Sequence, residues 1–162
     1  MNTNVRSRIL ILFFALCSVL LSAGFLGLEN LRFDEINWLL GGGDISNAQN
    51  GWTFFKNDSW HFPLGKNPNY GLDISNSVIF SDSIPILAFL FKIFKNFLSI
   101  NFQYFSFWVF LCFFFQFYFS YTIIYNNTNS IYFSLISSIF FIISPIFLYR
   151  LGIHLSLAAH WI

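Results

Sequence analysis

Charged residues are scarce in this chain. They make up 9% of its 162 residues, whereas a soluble domain carries about 25%. Hydrophobic residues make up 56%, and the mean hydropathy is +0.63. A soluble globular protein is therefore excluded, and the composition predicts an all-α, multi-pass integral membrane protein. The net charge of only +1 provides no basic surface, so no nucleic-acid partner is predicted.

Cysteine is also rare, with only two in the chain. Cys17 and Cys112 both lie in apolar runs, where cysteine behaves as a small buried hydrophobe. A disulfide framework like that of small secreted domains is therefore not expected.

Apolar residues are concentrated in runs that are long enough to cross about 30 Å of hydrocarbon. The three predicted spans are residues 9–28, 102–125 and 131–149, with a polar turn at 126–130 between the last two. Arg6 and Arg8 in the polar lead, residues 1–8, place the N-terminus in the cytoplasm. The alternative for the first run is a cleaved signal peptide. Both interpretations place the segment after this run outside the cytoplasm.

That segment, residues 29–101, is predicted to be a long extracytoplasmic loop with juxtamembrane helices. Its centre is rich in turn signals such as Gly-Gly-Gly, Asn-Pro and Ser-Ile-Pro. The pattern predicts a short amphipathic helix over 31–40, ended by glycines, and a second helix over 45–56. Asp44 precedes the second helix, and the local sequence leaves open whether it is a helix N-cap or a reacting carboxylate.

The apolar stretch at 84–97 has two interpretations that give opposite topologies. It is short for a span, and its apolar residues share one helical face, which favours a helix lying in the membrane interface. Its two lysines favour a short span with both in the cytoplasm. Only the interfacial helix brings residues 150–162 to the same side as the loop. These last residues begin another helix, so the sequence is interpreted as the N-terminal part of a longer protein.

The order of these features resembles the N-terminal module of GT-C glycosyltransferases, which have a long outer loop with an early acidic residue. Residues 82–87 (DSIPIL) are similar to the Pro-Pro-Leu-type start of the juxtamembrane helix in those enzymes, with one proline in place of two. Residues 144–150 (SPIFLYR) are similar to the segment that ends their third span.

A closer resemblance is to a family of bacterial membrane proteins placed near the GT-C group. Its motifs are matched by GD at 43–44, GWTFFK at 51–56, WHFPLG at 60–65, NPNYG at 67–71, SDSIP at 81–85 and RLGIH to HW at 150–161. Lys56 stands where arginine is expected, which keeps the charge but loses the bidentate geometry for phosphate. Ile153 stands where a first histidine is common. The resemblance implies a multi-pass protein of the bacterial inner (cytoplasmic) membrane.

The resemblance also implies a reaction in which a sugar passes from a polyprenyl-phosphate donor to an acceptor hydroxyl at the extracytoplasmic face. Asp44 is then the candidate base. Lys56 and Arg150 are candidates for holding the leaving phosphate, and each is equally a cation at the membrane surface. A divalent metal is a candidate cofactor, with Asp82 and His160 as its candidate ligands.

The remaining candidates bind substrate. His154 is an ionisable group in an apolar setting, which is costly and tends to be functional. Three aromatic residues are candidates for stacking on sugar or prenyl groups, or are interface anchors: Trp52, Trp60 and Tyr70. Besides a transferase, the sequence leaves open a non-enzymatic transporter or assembly partner for lipid-linked glycans, and an inactive truncated product.

Overall fold

The computed structural model describes residues 3–161, with side chains from Arg8 onward. This part of the chain is mostly helical. The helices are α1 (Thr3–Leu26), α2 (Gly43–Asn57), α3 (Pro85–Ile93), α4 (Phe105–Thr128), α5 (Ile131–Ile142) and α6 (Pro145–Ile153). A short antiparallel pair joins β1 (Lys66–Asn67) to β2 (Asn76–Ser77).

Two helices are long and apolar enough to cross a membrane, namely Arg8–Leu26 within α1 and the whole of α4. Helices α5 and α6 reach this standard only as a pair, and they are bent by 45°. The two long helices indicate an association with a membrane, with a third crossing if the bent pair is one span.

The bend divides the predicted single span over 131–149. Pro145 is the first residue of α6, and a proline there has no N–H to continue the ladder of α5 and clashes with the preceding turn. The helix therefore restarts at Pro145 and extends to Ile153, beyond the predicted end. A short 3₁₀ turn over Leu155–Ala158 follows, where the sequence predicted the start of another helix.

Helix α4 packs between α1 and α5. Phe14 of α1 is buried against Phe117 of α4, with ring centroids 4.7 Å apart. The opposite face of α1 leaves Leu12, Leu16 and Leu20 between 60% and 70% exposed. These three leucines are four residues apart and form one apolar stripe, which a bilayer would cover.

Most of the long segment between α1 and α4, residues 27–98, folds into a unit that we call the loop module. Gly51 of α2 lies directly beneath the turn before α3, where Ser83 Oγ donates a hydrogen bond to the Ala48 carbonyl over 2.7 Å. Asn67 Nδ2 donates to the Gly51 carbonyl over 3.0 Å. The motifs at 51–56, 67–71 and 81–85 are therefore packed together, because glycine at 51 permits the close approach.

The predicted helix over 31–40 is wrong. Two 3₁₀ turns, Glu29–Leu31 and Asn37–Leu39, flank a segment that is extended at Arg32. Gln103 explains the difference, since its side chain donates to the Arg32 carbonyl over 2.7 Å and its backbone N–H donates to the Phe33 carbonyl over 2.8 Å. Hydrogen bonds from a distant residue replace those of a local helix.

The connection into α4, residues 99–104, is attached to the loop module at several points. Lys56 Nζ donates to the Ser99 and Ile100 carbonyls. Trp52 Nε1 donates to the Phe102 carbonyl over 2.9 Å, and Tyr104 Oη donates to the Ser83 carbonyl. These bonds fix the loop module to the residues that directly precede α4.

Helix α3 has nine residues and is about 14 Å long, which is less than half the thickness of the hydrocarbon core. It is not among the helices of the described chain that could cross a membrane. Its length favours the interfacial interpretation of residues 84–97.

Candidate functional site

Asp44 and His154 join the loop module to the segment that follows α6. Asp44 lies in the first turn of α2, and His154 directly follows the last residue of α6. Asp44 Oδ2 is 2.6 Å from His154 Nδ1. The side chains remain 47% and 33% exposed, respectively, so a ligand can reach both of them.

The N-cap interpretation of Asp44 is wrong. Gly42 is the N-cap of α2, with a φ of 98° that favours glycine, and its N–H donates to Ser46 Oγ over 2.8 Å. Asp44 is already inside the helix, where its negative charge still interacts favourably with the helix dipole. Its carboxylate is therefore free to make the contact with His154.

A second carboxylate also joins the loop module to the segment after α6, because Ser156 Oγ donates a hydrogen bond to Asp82 Oδ1. Asp82 lies in the turn before α3, next to Ser83, which bonds to the Ala48 carbonyl. Ala48 is one helical turn after Asp44 on the same face of α2. Both carboxylates thus lie towards the N-terminal end of α2. We call the four side chains Asp44, Asp82, His154 and Ser156 the polar cluster.

The predicted metal site at Asp82 and His160 gains no third ligand from the described residues. Within the described residues, no group of three or more His, Cys, Asp or Glu side chains is placed to hold a metal ion. The His160 ring packs against Phe147 at a centroid distance of 5.7 Å. A metal bound by Asp82 and His160 therefore stays a prediction.

The three candidate aromatic residues have different environments. Trp52 is fully buried, and its ring packs edge-on against Tyr104 at 4.9 Å. It is a core residue, so its predicted role in stacking on substrate is wrong. Trp60 is 47% exposed and stacks on Phe89, while Tyr70 is half-buried and donates to Asn47 Oδ1. Trp60 is the most accessible of the three.

Lys56 is remote from the polar cluster. Its side chain is only 5% exposed, and burial lowers its pKa. It lies twelve residues after Asp44 on α2, which places it about 18 Å away along the helix axis. Lys56 and Asp44 therefore do not line one site, and the phosphate-binding role of Lys56 stays a prediction.

Arg150 is better placed for that role. It lies one helical turn before His154, whose backbone N–H donates to the Arg150 carbonyl over 2.8 Å. The Arg150 side chain is half-buried, and no hydrogen-bond or ion-pair partner for it occurs among residues 8–161. Its guanidinium is available to an anion near the polar cluster.

Residues 15–162 match a family model described as a domain of unknown function, DUF6311. The chain belongs to the DUF6311 family. No curated protein and no solved structure matches it. The matched range contains the whole polar cluster and Arg150, so these residues are part of the DUF6311 domain.

Lys92 of this DUF6311 domain is one of the two lysines in the apolar stretch at 84–97, which served above only as evidence on topology. Lys92 is 1% exposed, and its Nζ lies 3.7 Å from the centroid of the Phe55 ring and 4.7 Å from that of Trp60. Nζ also donates to the Ser59 carbonyl over 3.1 Å. Burial lowers the Lys92 pKa to about 8. No local pattern distinguishes this buried lysine from an exposed one.

Raising the pH from 7 to 9.5 should stabilise the native DUF6311 domain relative to a Lys92→Met variant. The Lys92 pKa is about 8 in the folded chain and 10.5 in its ordinary state, so the unfolded chain binds more protons between those values. Stability contributed by this group therefore rises with pH across that window. The measurement is thermal unfolding in detergent at several pH values, with Lys66→Met as the matched exposed control. Parallel pH profiles for the native protein and Lys92→Met would contradict the buried position of this ammonium group.

Proposed function

We propose that this chain belongs to a membrane glycosyltransferase of GT-C type in the bacterial cytoplasmic membrane. Its reaction transfers a sugar from a polyprenyl-phosphate donor to an acceptor hydroxyl at the extracytoplasmic face. The observation that carries the proposal is the contact between Asp44 and His154, because it gives the acidic residue of the early loop a polar partner while leaving both accessible. The two long apolar helices support the membrane setting.

In this reaction Asp44 removes the proton of the acceptor hydroxyl. The acceptor oxygen forms a bond to the anomeric carbon as the bond from that carbon to the phosphate oxygen breaks. His154 Nδ1–H donates to Asp44 Oδ2 and leaves Oδ1 to receive the proton. Arg150 compensates the negative charge that develops on the departing polyprenyl phosphate.

The second candidate is a non-enzymatic transporter or assembly partner for lipid-linked glycans. The exposed ring of Trp60 favours it, because an aromatic face at the surface can bind a sugar without any chemistry. Such a protein needs no base at Asp44.

A transfer assay separates these functions. Membranes containing the full-length protein would be given a radiolabelled sugar on polyprenyl phosphate, and label would be counted in the acceptor fraction. Transfer above that of membranes without the protein supports the transferase. Movement of labelled lipid between leaflets without transfer supports the transporter, and the absence of both supports an inactive product.

We also expect α2 and the end of α6, which both contribute to the polar cluster, to lie on the extracytoplasmic side of the membrane. Single cysteines at Asn57 and Gly152, both exposed positions, should react with a membrane-impermeant maleimide in intact cells once Cys17 and Cys112 are replaced by alanine. The reason is that α2 and the end of α6 meet through Asp44 and His154. Restoring the fully buried Cys112 gives a negative control. Labelling at Gly152 only after lysis would contradict a shared outer face.

A further inference from the structure

A small pocket opens at the C-terminal end of α2, away from the polar cluster. Its volume is about 220 Å³. Lys56 and Asn57 line it from α2, Lys95 and Asn96 line it from the 3₁₀ turn after α3, and residues 98–100 complete it. We call this space the lysine pocket. Nothing in the proposed sugar transfer uses it.

The lysine pocket has spare hydrogen-bond donors. An ammonium group has three N–H donors. Lys56 Nζ uses two of them on the Ser99 and Ile100 carbonyls, and Lys95 Nζ uses one on the Asp58 carbonyl over 3.0 Å. One donor on the first lysine and two on the second are left for a ligand.

The charge of the lysine pocket is positive. Two ammonium groups outweigh the roughly −0.5 charge at the C-terminus of α2. No acidic residue is among the seven that line the pocket, and the carboxylate nearest in sequence, Asp58, contacts His61 Nε2 and the Ser59 N–H. The pocket therefore favours an anion.

Exposed apolar side chains surround this positive pocket. Phe97 and Ile100 are both 89% exposed, and Ile93 is 67% exposed. The same segment leads directly into α4, which is long and apolar enough to cross a membrane. Cations beside exposed apolar side chains, at the point where a span begins, match the boundary between lipid headgroups and acyl chains.

We propose that the lysine pocket binds the phosphate of an anionic phospholipid headgroup. Lys56 and Lys95 contact the phosphate, while Phe97 and Ile100 enter the upper acyl region. The pocket lies about 18 Å along α2 from Asp44, so this lipid is a resident of the surrounding bilayer and takes no part in the chemistry.

The test is lipid binding by the purified full-length protein in detergent, measured by native mass spectrometry and by thermal shift. The added probes are phosphatidylglycerol, phosphatidylcholine and inorganic phosphate, each in a separate titration. We expect phosphatidylglycerol to bind in preference to phosphatidylcholine and to raise the unfolding temperature, while inorganic phosphate does neither. Equal binding of the two lipids, or saturation by inorganic phosphate alone, would overturn the proposal.

Variants locate the effect in the pocket. Lys95→Gln should weaken phosphatidylglycerol binding about fivefold, because it removes one positive charge. Asn96→Asp, as a separate single variant, should also weaken this binding, because it adds a negative charge to the pocket. Lys66→Gln, an exposed lysine outside the pocket, should have no effect. A loss with Lys66→Gln equal to that with Lys95→Gln would show a general surface effect and refute the site. Because the readout is lipid binding, it is independent of whether the protein transfers a sugar.

Discussion

Asp44→Asn is expected to lower the rate of sugar transfer about 10²–10⁴-fold, the usual contribution of a general base. Asparagine has the same shape but cannot accept the acceptor proton at neutral pH. Asp44 is half-exposed in the first turn of α2, so the substitution leaves no buried group without a partner. The fold and donor binding should therefore persist.

The measurement combines the transfer assay with donor binding followed by tryptophan fluorescence, on purified native and variant proteins. Asp73→Asn is the matched control, because Asp73 is an exposed loop carboxylate outside the polar cluster. Retained transfer with Asp44→Asn would remove Asp44 from the mechanism. Equal losses for Asp44→Asn and Asp73→Asn would point to a general defect of the loop module.

Gly51→Ala should strongly destabilise the protein, although alanine is the better helix former by about 1 kcal/mol. A Cβ at this position would lie 2.1 Å from Ser81 Oγ and 2.7 Å from Ser83 Oγ. Both serines are fully buried and hydrogen-bonded to each other over 2.7 Å, so neither can move aside cheaply. Overpacking costs about 1–3 kcal/mol, and three contacts under 3.0 Å place this substitution in the upper part of that range, above the gain in helix propensity.

A matched glycine isolates the steric effect. Gly24 is also inside a helix, but a Cβ there would meet nothing within 4 Å. Thermal unfolding in detergent should show a lower midpoint for Gly51→Ala and an unchanged or higher one for Gly24→Ala. Adding Ser81→Gly to Gly51→Ala should recover part of the loss. If Gly51→Ala raised the midpoint as Gly24→Ala does, the close packing of α2 on this turn would be refuted.

The elements predicted from the sequence are those whose signals are local. The uncharged runs beginning at 9 and 102 correspond to α1 and α4, because the length of an apolar run is a property of the run itself. The segment 45–56 lies within α2, and its predicted start after the glycines at 41–43 was also a local signal. The helix over 31–40 was wrong because Gln103, far along the chain, takes the carbonyls of that segment. Pro145 was a local signal for the break between α5 and α6, but the prediction carried a single span through it to residue 149.

The polar cluster could likewise be predicted only in part, because its residues are far apart in the sequence. Asp44, Asp82 and His154 were each recognised as candidates, but the pairing of Asp44 with His154 depended on a topology that the sequence left open. Ser156 was missed because nothing in its surrounding sequence distinguishes it from other serines. The burial of Trp52 had a usable signal, since Ala48, Trp52 and Phe55 share one face of α2, and all three are buried.

The attachment of residues 99–104 to the loop module has a mechanical consequence. Two side chains of the module, Lys56 and Trp52, make three hydrogen bonds to this short connection, and a fourth bond returns from Tyr104 to Ser83. The loop module is therefore coupled rigidly to α4, so a change in the tilt of α4 rotates α2 with it. Since helix tilt responds to hydrophobic mismatch, we expect bilayer thickness to alter the position of the Asp44 carboxylate relative to the membrane surface.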